Sequence, residues 1–227
     1  MPNTRAVLFD LYGTLIYEEP DSVSLQRQMA SLSCVDAEAF LAARSRTMEA
    51  AMRDEHASAL ARALAVLRLL GEDDPSRAEL LAREEERLRR AAIRLYPSAL
   101  EVLSALRAMG LGIGAVSNGT SLWRTFLEQL GLEPYFDAVA ISCERGICKP
   151  EVELFLWVTE RLEVDPEECI YVGDGDGGEM EAARDLGMRA VLIDQPGSWV
   201  RLTGAPVHRD RRITHLGELL GIVSGPT

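Results

Sequence analysis

The sequence predicts an α/β protein: a Rossmann-like, doubly wound parallel sheet core with an inserted all-helical cap domain. In the second half of the chain, short apolar segments typical of buried strands alternate with helical patterns. Strands separated by helices form a parallel sheet with crossover helices on its faces. A long segment without strand patterns separates the first apolar segment from the others. We therefore predict a core at residues 1–17 and 95–227 and a cap at 18–94.

The core elements follow from apolar runs that end in turn-forming or polar residues. Ala6–Phe9 is the first predicted strand, and Asp10 follows it. Helices are predicted through Leu100–Leu106, over 123–130 and 151–162, and in the stretch before Gly187. The other strands are predicted at 113–116, 138–141, 169–172 and 190–193, with 190–193 as the last.

The cap segment is rich in Ala, Leu, Arg and Glu and has almost no β-branched residues. Apolar residues at helical spacing predict about four helices. A buried stripe is expected on one of them, formed by Leu60, Leu64, Leu67 and Leu70.

Charged residues of the cap have two predicted roles. Arg44 or Arg46, on an early helix, is a candidate for holding a substrate anion over the core, and we take Arg46 as the contact. Farther along, Glu and Arg residues spaced i,i+4 predict salt bridges on a solvated helix face. These pairs are Glu85–Arg89 and Glu86–Arg90.

Composition and charge exclude several classes of function. The formal net charge of −12 opposes binding to a nucleic-acid backbone. No apolar stretch is long enough for a membrane span, and the N-terminal apolar run is too short for a signal peptide. The four cysteines lack CxxC or zinc-ligand spacing and are expected to be reduced. We expect a cytoplasmic monomer or homodimer that binds neither nucleic acid nor membrane.

Lys149 is the one lysine among 24 Lys and Arg residues. An ammonium is a compact point charge, whereas a guanidinium is planar and carries five donors. Because Arg is used at every other basic position, the surviving lysine is expected where a guanidinium does not fit.

Polar residues follow the predicted strands at the ends where ligands bind in open parallel sheets. Asp10, Ser117, Lys149 and the acidic cluster at 174–179 each lie after a strand or in a neighbouring loop. They are therefore expected to converge on one site.

Four motifs resemble those of the haloacid dehalogenase superfamily, in the same order and with room for a helical cap after the first. The chain carries FDLYGTL at 9–15, SNG at 117–119, KP at 149–150 and GDGDGGE at 173–179. The resemblance spans essentially the whole chain, and the four motifs together are specific, whereas DxxGT alone is not. It implies a capped hydrolase.

Each motif then has an implied role. Asp10 is the expected covalent nucleophile, since its carboxylate is able to form an acyl-enzyme ester. Ser117 would donate to a substrate oxygen, and Lys149 would neutralise the carboxylate and the substrate anion. Thr14, Asn118 and Gly119 are expected to help shape the substrate site.

The resemblance also implies a Mg²⁺ site formed by Asp10, the backbone carbonyl of Tyr12 and Asp174. Hard oxygen ligands are what Mg²⁺ prefers. Asp176 or Glu179 is expected to add a supporting carboxylate, and Glu179 lies where the family has its second acid.

Tyr12 departs from the phosphatase pattern. Phosphatases of the family usually have a general acid–base Asp two residues after the nucleophile, and Tyr12, with a reference pKa near 10, is a weak acid. At this point the chain resembles the metal-free 2-haloacid dehalogenases. Losing a general acid typically lowers the rate by about 10²–10⁴-fold, so a phosphatase with Tyr12 is expected to be slow or to prefer good leaving groups such as acyl phosphates.

Asp174 favours a metal-dependent phosphatase instead, because the dehalogenases have a small neutral residue at that position. Several carboxylates crowded into one site require a cation. We therefore predict a Mg²⁺-dependent phosphohydrolase that acts on a small phosphorylated metabolite through an aspartyl-phosphate. A 2-haloacid dehalogenase and a catalytically idle binding protein are the alternatives.

Overall fold

The computed structural model describes residues 4–32, 35–53, 58–196 and 211–224. Cys34, His56 and His208, which the sequence gives no special role, lie outside these ranges. The strands are β1 (Ala6–Phe9), β2 (Ile16–Glu18), β3 (Ile93–Leu95), β4 (Gly112–Ser117), β5 (Ala138–Ile141), β6 (Cys169–Gly173), β7 (Arg189–Ile193) and β8 (Arg211–Ile213). The helices are α1 (Ser22–Leu32), α2 (Ala37–Arg53), α3 (Ala59–Leu69), α4 (Pro75–Ala92), α5 (Ala99–Ala108), α6 (Leu122–Gln129), α7 (Ser142–Arg145), α8 (Glu153–Leu162), α9 (Glu179–Asp185) and α10 (Glu218–Ser224).

Six strands form one parallel sheet in the order β5-β4-β1-β6-β7-β8. The chain builds outward from β1 to β4 and β5, then returns to the other side of β1 for β6 to β8. Phe9 is in register with Ala115 of β4 and with Val172 of β6. In such a sheet the ligand crevice lies at the point where the strand order reverses, and here that point is the carboxyl end of β1.

Both faces of the sheet are covered, as a doubly wound fold requires. Alternate residues of β1 belong to two hydrophobic clusters: Val7 and Phe9 pack into one, and Ala6 and Leu8 into the other. Because side chains alternate across a strand, the continuous apolar run of β1 indicates burial on both sides. The predicted parallel core is confirmed.

β8 corrects one prediction, since the strand at 190–193 is not the last. Arg211–Ile213 pairs in parallel with β7 at the edge of the sheet. Its first two residues are exposed arginines, so it lacks the apolar run by which the inner strands are predicted.

Helices α1 to α4 pack on one another around a separate apolar cluster. α4 begins with Pro75 in its first turn, and the Asp74 side chain accepts bonds from two backbone N–H groups there. The predicted leucine stripe on α3 is partly wrong. Leu67 is buried, but Leu60 is exposed and the buried face includes Arg62.

The predicted solvated pair of Glu85 and Arg89 is also wrong. Glu85 is buried and accepts two bonds from the Arg44 guanidinium, while Arg89 lies 2.8 Å from a carboxylate oxygen of Glu18. The same i,i+4 spacing fits an inward face and an outward one, and packing of α4 against α1 and α3 turns Glu85 inward. The neighbouring pair Glu86–Arg90 does form at the surface, at 3.0 Å.

An antiparallel ribbon of β2 and β3 joins the cap segment to the core. We propose that this ribbon is the division between the two domains, close to the boundaries expected at 17/18 and 94/95. Cys143, Cys148 and Cys169 are buried free thiols. No helix of the described residues combines the length and apolarity needed to cross a membrane.

Candidate active site

Asp10 lies directly after β1, in a loop whose geometry the neighbouring residues fix. Gly13 has a φ of +80°, and a Cβ there would collide with the Asp174 carboxylate, so only glycine fits. The Thr14 hydroxyl donates to Asp10 Oδ2 at 3.4 Å. Gln195 Nε2 donates to the carbonyls of Gly13 and Thr14 at 3.1 and 2.7 Å. The loop thus holds a buried carboxylate beside a second acidic strand end.

Lys149 lies between two carboxylates. Its Nζ donates to Asp10 Oδ1 at 2.6 Å and to Glu179 Oε2 at 2.5 Å, and it lies 3.4 Å from the Tyr171 hydroxyl. Its side chain is 3% exposed, which leaves no room for a larger cation. Burial opposes its charge, but Asp10 and Glu179 outweigh burial and hold the pKa of Lys149 above its ordinary value.

The ionisation of Asp10 depends on its burial and on two charged neighbours. Burial raises the pKa of Asp10 to about 7, with Lys149 opposing the rise and Glu179 adding to it. A further cation at this position would lower the pKa of Asp10 and keep it ionised.

The end of β4 and the loop after it bring three predicted residues to the same edge of the sheet. Ser117 is buried, and its hydroxyl has no hydrogen-bond partner among the described residues. Asn118 binds the main chain of Lys149, accepting from its N–H at 2.7 Å and donating to its carbonyl at 3.2 Å. Gly119 exchanges hydrogen bonds with the Ser142 hydroxyl. Ser117 thus has a free hydroxyl for a ligand, whereas Asn118 and Gly119 fix the loop.

Glu179 opens α9, and both of its oxygens are engaged. Oε1 accepts from the Gly175 N–H at 3.0 Å, and Oε2 accepts from Lys149 and from the Tyr171 hydroxyl at 2.7 Å. Asp176, in contrast, is exposed. The geometry therefore favours Glu179 over Asp176 as the supporting carboxylate, through its hold on Lys149.

Asp10, Asp174 and Glu179 each offer a carboxylate oxygen, and these oxygens lie within 4.8 Å of one another. All three residues are buried. A buried set of hard oxygen donors with one ammonium fits a divalent cation such as Mg²⁺.

The surroundings of Tyr12 do not suit a proton donor. Its ring packs edge-on against Trp123, with centroids 6.1 Å apart. Burial and the nearby Glu18 raise the pKa of Tyr12 to about 12, while a hydrogen bond with Ser22 of α1 opposes the rise. An acid with so high a pKa transfers its proton poorly near neutral pH. The Tyr12 side chain therefore contributes to packing and to a contact with the cap rather than to acid catalysis.

The two candidate cap arginines differ in burial. Arg44 is buried and committed to Glu85, whereas Arg46 is exposed on α2. The structure shows neither of them in contact with Asp10 or Lys149.

Three residues that support the site were not predicted. Tyr171 lies inside an apolar strand, where an aromatic residue indicates core packing, and Ser142 lies in the short helix α7. Gln195 follows β7, so the rule that polar residues after parallel strands face the ligand would have found it.

A doubly wound sheet that gathers an aspartate, a lysine and a second acidic loop, with a helical insertion after the first strand, is the arrangement of a capped α/β hydrolase. A sequence model of the haloacid dehalogenase-like hydrolases matches residues 4–187. The chain belongs to this family and is a hydrolase.

Two relatives with established names are phosphatases. The chain is 30% identical over 204 residues to the glyceraldehyde 3-phosphate phosphatase of Methanocaldococcus jannaschii, covering 83% of this chain and 84% of the relative. It is 39% identical over 122 residues to the phosphoserine phosphatase of Thermus thermophilus, covering 53% and 49%.

The similar solved structures include a phosphatase and a dehalogenase. A haloacid dehalogenase-type phosphatase from Thermococcus onnurineus superposes with a TM-score of 0.71 at 27% identity, over 98% of this chain and 99% of that one. A 2-haloacid dehalogenase from Pseudomonas syringae superposes with a TM-score of 0.72 at 24% identity, over 97% and 98%. The second likeness shows the fold alone.

Proposed function

We propose that this protein is a Mg²⁺-dependent phosphohydrolase that acts on a small phosphorylated metabolite in the cytoplasm. The observation that carries the proposal is the buried cluster of Asp10, Asp174 and Glu179, in which Asp10 and Glu179 share the Lys149 ammonium. The phosphatase names of the relatives support it. This cluster suits a reaction in which a cation and a dianionic phosphoryl group enter the site together.

In the proposed reaction, a carboxylate oxygen of Asp10 attacks phosphorus, and the bond to the leaving oxygen breaks. Water then attacks phosphorus of the aspartyl-phosphate, which releases inorganic phosphate and restores Asp10. Lys149 holds Oδ1 of Asp10 in place, and the unpartnered Ser117 hydroxyl is available to a phosphoryl oxygen.

Mg²⁺ would be held by Asp10, Asp174 and the backbone carbonyl of Tyr12, and it would neutralise charge on the phosphoryl oxygens. Glu179 would act at longer range by orienting Lys149. Because Tyr12 is a poor acid, the leaving group departs without assistance, so acyl and aryl phosphates are the favoured test substrates.

The competing candidate is a 2-haloacid dehalogenase, which Tyr12 favours. Asp174 is the observation against it, because its buried carboxylate adds negative charge where a metal-free enzyme would receive an anionic substrate. The phosphohydrolase accounts for the buried Asp174, so we retain it.

Phosphate release from acetyl phosphate and p-nitrophenyl phosphate, with Mg²⁺ and with excess EDTA, tests the proposal. We expect release that requires Mg²⁺ and is absent in Asp10→Asn. Asp174→Asn should abolish it, whereas Asp176→Asn, the same change in the same loop at an exposed position, should retain it. Halide release from 2-chloropropionate without metal, and no phosphate release, would overturn the proposal in favour of the dehalogenase.

A further inference from the structure

A narrow cleft separates the cap from the loop that follows β4. Arg62 of α3 and Glu85 of α4 lie on its cap side, and residues 120–122 form its core side. These core residues continue directly from Ser117-Asn118-Gly119. The cleft therefore borders the loop that carries the proposed phosphate-binding hydroxyl.

Arg62 is buried in this cleft wall, and no described residue serves it alone as a close anionic partner. Its side chain is 4% exposed and lies 3.7 Å from Glu85 Oε1, an oxygen that Arg44 already engages. Its Nη2 donates to two neutral acceptors, the Arg44 carbonyl at 3.4 Å and Met48 Sδ at 3.3 Å. Its Nε has no hydrogen-bond partner among the described residues. A guanidinium held this way retains capacity for an anion.

The charge around Arg62 leads to the same conclusion. Counted over residues 4–32, 35–53, 58–196 and 211–224, the network contains three arginines (Arg44, Arg62 and Arg89) and two carboxylates (Glu18 and Glu85). Burial and the neighbouring Arg44 lower the pKa of Arg62 to about 9. An excess of positive charge at this one place is notable in a chain of net charge −12, and a carboxylate entering the cleft would balance it.

We propose that Arg62 binds the carboxylate of the substrate, which makes the substrate class a small phosphorylated carboxylic acid. This inference rests on the proposed function, which places the phosphoryl group at Asp10. A guanidinium binds a carboxylate through two parallel hydrogen bonds, and Thr120 and Ser121 supply hydroxyls on the opposite side of the cleft. Arg62 thus takes the role expected of Arg44 or Arg46.

Two matched ligands test the assignment in the wild-type protein. 3-Phosphoglycerate and glycerol 3-phosphate share a phosphate and a three-carbon chain, and differ in a carboxylate against a hydroxymethyl group. Their inhibition constants against p-nitrophenyl phosphate hydrolysis should differ by about 10- to 100-fold in favour of 3-phosphoglycerate, the value of a charge-assisted hydrogen-bonded pair. Equal constants would overturn the assignment without any variant.

Variants locate the preference. Arg62→Met should raise the inhibition constant of 3-phosphoglycerate to that of glycerol 3-phosphate, and Arg62→Lys should keep part of the difference. Arg68→Met, the same change at an exposed position of the same helix, should keep all of it. A merely structural arginine would alter both ligands alike, and that result, or an intact preference in Arg62→Met, would refute the assignment.

A failure of the proposed function can be distinguished from a failure of the Arg62 assignment. If no phosphate ester or acyl phosphate is hydrolysed, calorimetric titration of the two ligands in the presence of Mg²⁺ applies the same criterion. A preference for 3-phosphoglycerate without turnover would support the carboxylate site while removing the phosphohydrolase, and equal affinities would remove both.

Discussion

Lys149 Nζ lies 2.6 Å from Asp10 Oδ1, in a buried ion pair between residues 139 positions apart in the sequence. Asn118 fixes the main chain of Lys149, and Glu179 holds its ammonium from the other side. The pair therefore connects all four motifs. The one lysine of an arginine-rich chain thus has its ammonium between two buried carboxylates.

Lys149→Arg should inactivate the protein although it retains the charge. The guanidinium is larger and planar, and the space between Asp10 and Glu179 holds a compact ammonium. Misplacing this charge stabiliser should lower kcat for acetyl phosphate by about 100-fold or more. Arg161→Lys, an exposed exchange of the same two residue types, serves as the control. Activity of Lys149→Arg within tenfold of wild type would count against the account.

Tyr171→Phe should lower kcat while leaving KM nearly unchanged. The Tyr171 hydroxyl donates to Glu179 Oε2 at 2.7 Å and lies 3.4 Å from Lys149 Nζ, but it does not reach Asp10 through any described bond. Removing one hydrogen bond to a charged group weakens the positioning of Lys149 and should slow turnover by about 10-fold. The steady-state kinetics of Tyr171→Phe are compared with those of Tyr135→Phe, a change of a tyrosine that lies outside the site. A change confined to KM would exclude the positioning role.

Tyr12→Asp should raise turnover of an alkyl phosphate such as glycerol 3-phosphate. A carboxyl at this position would supply the general acid that the chain lacks, an effect worth about 10²–10⁴-fold in enzymes that have one. Acetyl phosphate, whose leaving group needs less assistance, should benefit less. Tyr12→Phe is the matched control and should show no gain. If the two variants behave alike, Tyr12 does not limit the rate.

Much of the site was predictable because parallel strands deliver their carboxyl ends to one edge. Asp10 and Asp174 follow β1 and β6, Ser117 is the last residue of β4, and Lys149 lies in the loop between α7 and α8. Their convergence needs the order of elements and no knowledge of side-chain packing. The fold class was predictable for the same reason.

Contacts between distant elements were not predictable in this way. The pairing of Glu85 with Arg44 depends on how α2 and α4 both pack against α3, and helical spacing alone fits a solvated face equally well. The burial of Arg62 could not be predicted, because the leucine stripe defined the expected buried face. A buried arginine contradicts the usual pattern of an amphipathic helix. The role of the Tyr171 hydroxyl could not be predicted either, because the residue lies within an apolar strand.

The buried cap network predicts a stability that depends on pH. Burial alone would raise the pKa of Glu85, but Arg44 and its neighbouring arginines lower it from 4.5 to about 2. Because the folded-state pKa is lowered, the stabilisation is present above pH 4.5 and is lost as the pH falls toward 2. The loss between pH 7 and pH 3 is about 2 kcal/mol.

Urea unfolding at pH 7 and pH 3 measures this loss in wild type and in Glu85→Gln, which cannot titrate at that position. The variant starts from a lower free energy of unfolding, because it leaves Arg44 without its carboxylate. Its further decrease between the two pH values should be smaller than that of wild type by about 2 kcal/mol. Equal decreases in both proteins would mean that Glu85 is not held ionised.

The central claim is that Asp10 becomes phosphorylated, and acid quenching during turnover tests it most directly. Wild-type protein is mixed with acetyl phosphate and Mg²⁺, quenched within one turnover and digested. The mass of the peptide containing Asp10 is then measured by mass spectrometry. The account predicts one added phosphoryl group on that peptide, absent in Asp10→Asn and in samples with EDTA. Phosphate release with no phosphoryl group on Asp10 at any quench time would contradict it.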